Sequence, residues 1–393
     1  MIISYIRLKN WRNFQAGEVA LGKRVFLAGA NASGKSNFLD AIRFLRDIAK
    51  SQGGGLQEAV SSRGGLKKIR CLAARRYPAV EIEVHFAEDR GQPSLYEYEI
   101  GIRKGRSQKG NRNPIALLSY EKVWKGEECI LERPDNQDKE DPLLLSQTHL
   151  EQMNQNAKFR ELADFLQSVL YLHLVPQLVR HPREFSGPGI AGDPFGRSFL
   201  ERISQTPERP KRARLKKIEN ALRKAVPNLK QLTHVIDDKE GGVPHLEAVY
   251  EHWRGHGAKQ REMDFSDGTL RLIGLFWSLL EGESVLLMEE PELSLNAEIV
   301  KKLPALFHRL VNLGGTQRQI MVSTHSWELL SEKGIGEEEV VLLIPGEEGT
   351  EIREASKMTT LKALVEGGMS VGEAVLPMAN PRSLAGEQLD LFR

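Results

Sequence analysis

The stretch RVFLAGANASGKSNFLDAIRFL, residues 24–45, decides how this chain is expected to fold. It begins with a short apolar run typical of a buried strand and ends with apolar residues at helical spacing. Between the two, GANASGKS at residues 29–36 fits the pattern G-x-x-x-x-G-K-[ST], in which backbone N–H groups cradle nucleotide phosphates. Gly29 and Gly34 allow the loop to wrap closely around a phosphate at the N-terminus of the helix. The sequence therefore predicts a P-loop.

Side chains of this loop have roles that the pattern itself defines. Lys35 is expected to reach the β- and γ-phosphates, and the Ser36 hydroxyl is expected to ligate Mg²⁺. A P-loop alone does not separate kinases, GTPases and ATPases, so the choice among them depends on later segments. The residues expected to bind the nucleotide are Gly29, Ala30, Asn31, Ala32, Ser33, Gly34, Lys35, Ser36 and Asn37.

The rest of the chain predicts an α/β fold around this loop. The N-terminal part reads as short strands, and after Asp267 apolar strand cores alternate with helical patterns, which indicates a mostly parallel, covered sheet. Two polar or glycine-rich segments, 51–65 and 125–141, are expected to form a mobile loop and an irregular stretch. The predicted units are a β-rich N-terminal lobe at 1–142, a helical insertion at 143–230, a C-terminal lobe at 231–376 and a flexible tail at 377–393.

Acidic residues follow the apolar strand SVLLM at residues 284–288. Glu289 and Glu290 come directly after it, and the carboxyl ends of parallel strands lie beside the ligand in such sheets. One carboxylate can then hold Mg²⁺ while the next orients or deprotonates a water molecule. A solvated acidic turn is the alternative interpretation.

Two further segments are informative only in combination with the others. The strand after the acidic pair ends at His325, and a lone histidine there is more often a polar cap than a site residue. Ser266 and Gly268 precede a predicted helix whose N-terminus could face a phosphate, although an ordinary helix cap explains them equally well.

Taken together, these segments resemble the ABC ATPase module of the SMC, RecF and OLD-type proteins. The resemblance covers residues 1 to about 345 and is most specific at its two ends. GANASGKS resembles the Walker A motif, FSDGT (265–269) the signature, LLMEEP (286–291) Walker B, ELSLNA (292–297) the D-loop, STHS (323–326) the switch histidine and RLKNWRNF (7–14) the first strand.

This resemblance implies a fold, an activity and a set of residue roles. The chain would be a P-loop ABC-type ATPase that uses ATP and Mg²⁺, with Lys35 on the phosphates and Ser36 and Glu289 at the metal. Glu290 would be the catalytic carboxylate, and His325 would sense the γ-phosphate. Ser266 and Gly268 would bind ATP held by the opposite subunit, which implies a homodimer with two ATP sites.

The sequence departs from the family pattern at three places. Glu289 stands where the Walker B motif usually has an aspartate, and the signature is SDG instead of SGG. The Q-loop glutamine has two candidates, Gln57 and Gln177, and no pattern favours either. We therefore expect hydrolysis to be slow or stimulated by a partner.

The segments around these motifs indicate a compact protein. No sustained heptad pattern separates Ser36 from Ser266, so RecF-like and OLD-like insertions fit better than an SMC coiled coil. The residues after His325 contain no clustered acidic set for a nuclease metal site, so no nuclease domain is expected. The resemblance then implies a separate effector protein, notably in anti-phage defence.

Three local basic segments are candidate DNA contacts, because the net charge of +2 gives no global signal. They are residues 63–76, 103–112 and 209–230, the last with nine Lys/Arg and one acidic residue. No base-reading motif accompanies them, so any DNA binding is expected to be non-specific and salt-sensitive. Solvated basic faces are the alternative.

A short tail motif suggests a protein partner. QLDLF, Gln388 to Phe392, resembles the pentapeptide with which bacterial replication and repair proteins bind the β sliding clamp, and its apolar side chains suit a preformed groove. A tail that packs on its own domain is the alternative.

Composition places the chain in the cytoplasm. Two cysteines, Cys71 and Cys129, are too few for a disulfide framework, and no apolar run reaches the roughly 20 residues of a membrane helix. We therefore expect a cytoplasmic ATPase that dimerises on ATP and acts in DNA repair, DNA replication or anti-phage defence. The alternative is a nucleotide-gated scaffold that sequesters or activates an effector without engaging DNA.

Overall fold

The computed structural model describes residues 1–74, 79–105, 115–182, 184, 193, 195–237, 241–251, 258–282, 284–313 and 318–379. Its strands are β1 Ile2–Trp11, β2 Phe14–Ala20, β3 Arg24–Ala28, β4 Val80–Ala87, β5 Tyr96–Lys104, β6 Ala116–Lys125, β7 Glu128–Arg133, β8 Leu170–Leu172, β9 Leu229–Asp237, β10 Val243–Tyr250, β11 Ala258–Arg261, β12 Leu286–Glu289, β13 Ile320–Thr324, β14 Val340–Gly346 and β15 Gly349–Glu354.

The helices fall mostly between and after these strands. They are α1 Lys35–Ala49, α2 Leu56–Ser61, α3 Leu66–Ile69, α4 Asn136–Glu140, α5 Arg160–Gln167, α6 Pro176–Arg180, α7 Phe199–Gln205, α8 Glu208–Leu222, α9 Asp267–Leu280, α10 Ala297–Val300, α11 Leu303–Leu313, α12 Trp327–Leu330, α13 Thr359–Glu366 and α14 Val371–Ala379. None of the helices in the described ranges is both long and apolar enough to cross a membrane.

A six-stranded central sheet lies beneath the P-loop, which follows its strand β3. Its strand order is β15-β14-β3-β13-β12-β8. All neighbours pair in parallel except β14 and β15. Each of the parallel strands is short and apolar, as expected for strands covered on both faces. The predicted α/β class with a mostly parallel sheet is confirmed.

A second sheet makes the N-terminal region rich in β-structure. Its six strands are antiparallel in the order β2-β1-β4-β5-β6-β7, and β9, β10 and β11 form a separate three-stranded antiparallel sheet. Along β4 buried and half-buried side chains alternate, which is the pattern of a sheet with one covered face.

Two apolar clusters cover the two faces of the central sheet. Leu27 and Leu287 belong to the cluster shared with α1 and the first antiparallel sheet. Their neighbours Phe26 and Met288 point to the other face and join a cluster that includes Trp277 of α9. Successive residues of one strand thus hold the two layers together, because side chains alternate across a strand.

Several segments differ from the predictions. Residues 143–230 are not wholly helical, because β8 lies within them and pairs with β12 of the central sheet. A three-residue strand is too short to be distinguished from a helical pattern by periodicity. The stretch 51–65, expected to be a loop, contains α2, and the stretch 125–141, expected to be irregular, contains β7 and α4. The division into units stays a prediction.

The predicted tail is described only at its beginning. Helix α14 runs through Pro377 to Ala379, so the first three residues of the expected tail are helical. Residues 380–393, including the QLDLF segment, lie outside the described residues.

Candidate nucleotide-binding site

The P-loop lies between β3 and α1, as its pattern predicts. Gly29 has no room for a side chain, because an added Cβ would lie 2.6 Å from the carbonyl oxygen of Leu343. Gly34 precedes α1 with φ 99°, a left-handed conformation that glycine adopts without strain. The two glycines of the motif are therefore required by packing at one end of the loop and by backbone geometry at the other.

Lys35 is buried at the first position of α1. Its Nζ donates hydrogen bonds of 2.9 Å to the carbonyl oxygens of Gly29 and Ala30. Burial lowers the pKa of Lys35, and the carboxylates of Glu290, Glu292 and Glu289 act in the opposite direction. An ammonium group has three donors, so one remains for a phosphate oxygen.

The opening segment of the chain braces this loop. Trp11 Nε1 donates to the carbonyl oxygen of Asn37 at 2.7 Å, and Asn13 Nδ2 donates to that of Ser33 at 3.1 Å. Asn37 Nδ2 donates in turn to Asn13 Oδ1 at 2.8 Å, and Thr350 Oγ1 donates to the carbonyl oxygen of Ser33 at 2.9 Å. The sequence identified RLKNWRNF only as a first strand, whereas the structure makes it a support of the P-loop.

The two predicted metal ligands, Ser36 and Glu289, come together although they lie far apart in the chain. The Ser36 hydroxyl donates to Oε1 of Glu289, which ends β12. The other oxygen, Oε2, accepts from the Tyr171 hydroxyl. Hydroxyl and carboxylate oxygens are the ligands that Mg²⁺ takes beside nucleotide phosphates, so the donor set fits this ion.

Glu290 and His325 are also brought together at this edge of the sheet. Parallel pairing sets Glu289 of β12 beside Ser323 of β13, so the residues that follow both strands lie at the same end. His325 Nδ1 lies 3.1 Å from Glu290 Oε1. Glu290 has φ 45°, and its N–H donates to the carbonyl oxygen of Ser323 at 3.0 Å. This backbone conformation is uncommon for glutamate, and such residues are enriched at active sites and ligand clamps.

An open cleft joins the loop and the carboxylate. Its volume is about 300 Å³ and its walls are polar. The lining residues are Asn31, Ala32, Gly34, Lys35, Ser36, Asn37 and Glu290. A carboxylate that faces a phosphate-binding loop across a cleft can orient a water molecule and accept its proton.

Sequence reasoning assigned no role to Glu292, which lies behind this cleft. It is buried, and its Oε1 accepts a hydrogen bond of 2.6 Å from Thr324 Oγ1, whereas its Oε2 is buried without a hydrogen-bond partner. Burial raises the pKa of Glu292 and so favours the neutral acid. The sequence signal that could have identified it is its position directly after Pro291 in EEPE, next to the acidic pair.

The signature segment starts α9. Ser266 is the N-cap residue, and its Oγ accepts from the Thr269 N–H at 3.2 Å. Gly268 packs against the D-loop, where an added Cβ would lie 2.8 Å from the carbonyl oxygen of Ser294. Asp267, the departure from the SGG pattern, forms an ion pair of 2.6 Å with Arg180 of α6. Neither Ser266 nor Gly268 is among the described residues that line the P-loop cleft.

Neither Q-loop candidate lines the cleft. Gln57 exchanges hydrogen bonds with the backbone of Ala116 and also donates to the carbonyl oxygen of Ser146 at 2.7 Å, which ties α2 to β6. Gln177 lies 3.4 Å from Asp267 of the signature. The residue found beside Glu289 is Tyr171, which sequence reasoning did not select.

Several basic side chains of the predicted DNA-binding segments already form ion pairs with carboxylates of the same chain. The Arg63 side chain is 7% exposed and forms ion pairs of 2.8 and 3.0 Å with Asp40 and Asp47. In α8, Glu208 pairs with Lys211 and Arg212, and Glu219 pairs with Lys216 and with Arg223, the residue that follows the helix. Residues 75–76 and 106–112 of the predicted basic segments lie outside the described residues.

Comparison with known families agrees with this geometry. The sequence profile described as "AAA domain, putative AbiEii toxin, Type IV TA system" matches residues 24–331, which include the P-loop, Walker B and switch segments. The chain belongs to this family. It is an ATPase of the ABC type, as the resemblance to SMC and RecF proteins predicted.

Two curated relatives are DNA replication and repair proteins RecF. The chain is 25% identical over 139 residues to that of Picosynechococcus sp. (strain ATCC 27264 / PCC 7002 / PR-6), which covers 35% of this chain and 36% of the relative. It is 31% identical over 85 residues to that of Synechocystis sp. (strain ATCC 27184 / PCC 6803 / Kazusa), which covers 21% of this chain and 22% of the relative. The match thus spans about a third or less of these relatives.

The fold is similar to that of an SMC head. A crystal structure of the SMC head bound to the C-winged helix domain of ScpA matches with a TM-score of 0.53 at 13% identity, over 90% of this chain and 98% of that one. At this identity the similarity concerns the fold alone.

Proposed function

We propose that the chain is a cytoplasmic, magnesium-dependent ATPase that dimerises on ATP, with each nucleotide held between the P-loop of one copy and the signature of the other. The observation that carries this proposal is the position of Ser266 and Gly268, which contact Thr269 and the Ser294 carbonyl of their own chain and are not among the described residues that line the P-loop cleft. The homodimer, the metal and the residue roles are parts of the proposal.

The signature segment supports binding in trans because its serine and the start of its helix are accessible to a nucleotide held by another copy. Ser266 and Ser294 are exposed, and the N-terminus of the fourteen-residue helix α9 carries a partial positive charge. The close packing of Gly268 on the Ser294 carbonyl couples the signature to the D-loop. The ion pair between Asp267 and Arg180 offsets a negative charge that would repel a phosphate.

The residues around the cleft then divide the chemistry. The P-loop N–H groups and Lys35 bind and orient the phosphates. Ser36 and Glu289 would hold Mg²⁺, which when bound neutralises charge on the phosphate oxygens. Glu290 would orient the attacking water and accept its proton, and His325, whose Nδ1 lies 3.1 Å from the Glu290 carboxylate, would sense the γ-phosphate.

We propose a role in DNA repair or replication, or in anti-phage defence with a separate effector. The RecF relatives support the first part, and the exposed side chains of Lys67 and Lys68 in α3 and of Arg70 after it can contact a phosphate backbone. The test is ATPase activity with and without duplex or single-stranded DNA at 50 mM salt. Stimulation by DNA supports this role, whereas no stimulation and no gel shift with ATP present would contradict it.

The second candidate is a nucleotide-gated scaffold that controls an effector protein without engaging DNA. It is favoured by the ion pairs of α8, in which two glutamates bind four of the basic side chains, and by the toxin–antitoxin wording of the family description. Stimulation of ATPase activity only by a protein encoded beside this chain supports the scaffold.

The QLDLF segment carries a separate proposal, that the chain binds the β sliding clamp through residues Gln388 to Phe392. Leu389, Leu391 and Phe392 supply the apolar anchors that such a groove takes. Deletion of residues 388–393 should abolish co-purification with the clamp. Binding that survives the deletion, or no binding by the full chain, would contradict it.

A further inference from the structure

Tyr171 stands at the point where the edge strand of the central sheet meets the metal-binding carboxylate. Strand β8 pairs in parallel with β12, and Tyr171 is directly opposite Leu287. Leu287 and Glu289 are two residues apart on one strand and therefore share a face. The register of β8 thus brings the Tyr171 ring onto the face from which Glu289 extends.

The Glu289 carboxylate is held between two hydroxyl groups. Ser36 donates to one oxygen and Tyr171 donates to the other. Tyr171 is itself fixed, because it is only 8% exposed and the Arg43 guanidinium lies 4.1 Å from its ring centroid. Arg43 belongs to α1, the helix that begins at Lys35. The contact therefore links β8, β12 and the P-loop helix.

The tyrosine can act only as a hydrogen-bond donor toward this carboxylate. A phenol keeps its proton at neutral pH and an ionised carboxylate has no proton to donate, so the hydrogen bond runs from Tyr171 to Glu289.

We propose that Tyr171 is the positioning residue of the metal site: it holds one oxygen of Glu289 so that the other faces Ser36 and Mg²⁺. Glutamate has one more rotatable bond than the aspartate usual at this position, and an unrestrained side chain loses conformational entropy when it binds a metal. A hydrogen-bond partner that orients a metal ligand commonly improves metal affinity by about 10- to 100-fold. Gln57 bonds to Ala116 and Gln177 to Asp267, whereas the contact with Glu289 comes from Tyr171 of β8.

This proposal rests on the proposed ATPase site, and its test measures metal binding separately from turnover. Tyr171→Phe removes the hydroxyl but keeps the ring beneath Arg43. In the presence of a non-hydrolysable ATP analogue, Mn²⁺ binding followed by electron paramagnetic resonance should weaken about 10-fold or more. Binding of the analogue in EDTA should stay within twofold of the parental protein, because the P-loop is untouched.

The matched control is Tyr98→Phe. Tyr98 is also buried, and its hydroxyl donates to Glu121 at 3.0 Å in the N-terminal β-sheet, in a cluster with Arg133. This substitution removes a buried tyrosine–glutamate hydrogen bond outside the nucleotide cleft, so it should leave Mn²⁺ affinity unchanged. A loss as large as that of Tyr171→Phe would overturn the proposal.

A double-mutant cycle with Glu289→Asp separates positioning from a general structural effect. If Tyr171 acts through Glu289, its substitution should weaken Mn²⁺ binding by less than about twofold in the Glu289→Asp background. An equal loss in both backgrounds, or Mn²⁺ affinity of Tyr171→Phe within twofold of the parental value, would overturn the positioning role alone. A parental protein that binds the analogue but no Mn²⁺ would overturn the proposed function as well.

Discussion

Glu290 is the residue whose local structure most directly suggests catalysis. Its left-handed backbone is held by the hydrogen bond from its N–H to Ser323, and its carboxylate is held by His325. A non-glycine residue in this conformation costs free energy that the surrounding packing must offset. The carboxylate of this residue lies in the wall of the P-loop cleft.

Replacement of this carboxylate should separate binding from turnover. Glu290→Gln is expected to keep ATP affinity, since Lys35 and the loop remain, and to slow hydrolysis by about 100-fold or more because general-base assistance is lost. Single-turnover hydrolysis and equilibrium binding of ATP measure the two effects. The exposed Glu298→Gln is the control, and a Glu290→Gln protein that hydrolyses ATP at the parental rate would contradict the assignment.

At the level of elements, α9 packs closely against the D-loop at the signature. Gly268→Ala would place a methyl group 2.8 Å from the Ser294 carbonyl oxygen, so one of the two segments must move. We expect ATP-dependent dimerisation to be lost while ATP binding by the P-loop is kept. Gly22→Ala, whose added Cβ would meet nothing closer than 3.9 Å, is the control. Parental dimerisation of Gly268→Ala in sedimentation experiments would contradict this view.

The start of α2 predicts a pH dependence of stability. Glu151 accepts the N–H groups of Leu56 and Thr148 at 2.6 and 3.1 Å, and burial raises its pKa to about 7 despite these bonds. The folded protein therefore binds an extra proton between about pH 4.5 and 7. Stability from this group is present below that range and is lost as the pH rises through it, by about 2 kcal/mol after allowance for partial exposure.

Glu151→Gln tests this dependence through its slope. Gln places an amide NH₂ against one of the two backbone donors, so the variant is less stable overall. The free energy of unfolding in urea should nevertheless change less between pH 5 and pH 7.5 than in the parental protein. Glu58→Gln in α2 is the control, and an unchanged slope in Glu151→Gln would contradict the prediction.

Local patterns predicted the elements of this fold better than the contacts between them. The P-loop, β12 and β13 were identified because an apolar run and a motif coincide within a few residues. Strand β8 was missed because three residues carry no periodicity, and Tyr171 was missed with it. Its contact with Glu289 depends on strand order in the sheet, which spacing along the chain does not encode. The same holds for Asn13. Its side chain bonds to Ser33 and Asn37 of the P-loop region and also to Thr350, which is far away in the chain.

At the scale of the whole molecule, the single chain contains every predicted motif but does not bring them to one place. The P-loop, Walker B and switch residues meet at one edge of the central sheet, whereas Ser266 starts α9 outside the lining of that cleft. A second copy related by a twofold axis would place two signatures against two P-loops at once, since such an interface repeats each contact. The central claim is therefore that ATP is shared between two copies.

Mixing two inactive variants tests this claim most directly. Lys35→Ala disables the P-loop, and Ser266→Asp keeps an N-cap residue on α9 while it sets a negative charge against the incoming phosphate. Ser266→Asn, a neutral cap, is the control for the charge and should retain more activity than Ser266→Asp. A mixed dimer holds one site with both defects and one site with none.

The measurement is the ATPase rate of an equal mixture of the two variants. If sites are shared between copies, the mixture should recover roughly a quarter of the parental rate, because about half of the dimers are mixed and each has one intact site of two. If each chain hydrolyses ATP with its own signature, the mixture should show no more than the average of the two separate rates. That second result would contradict the shared site.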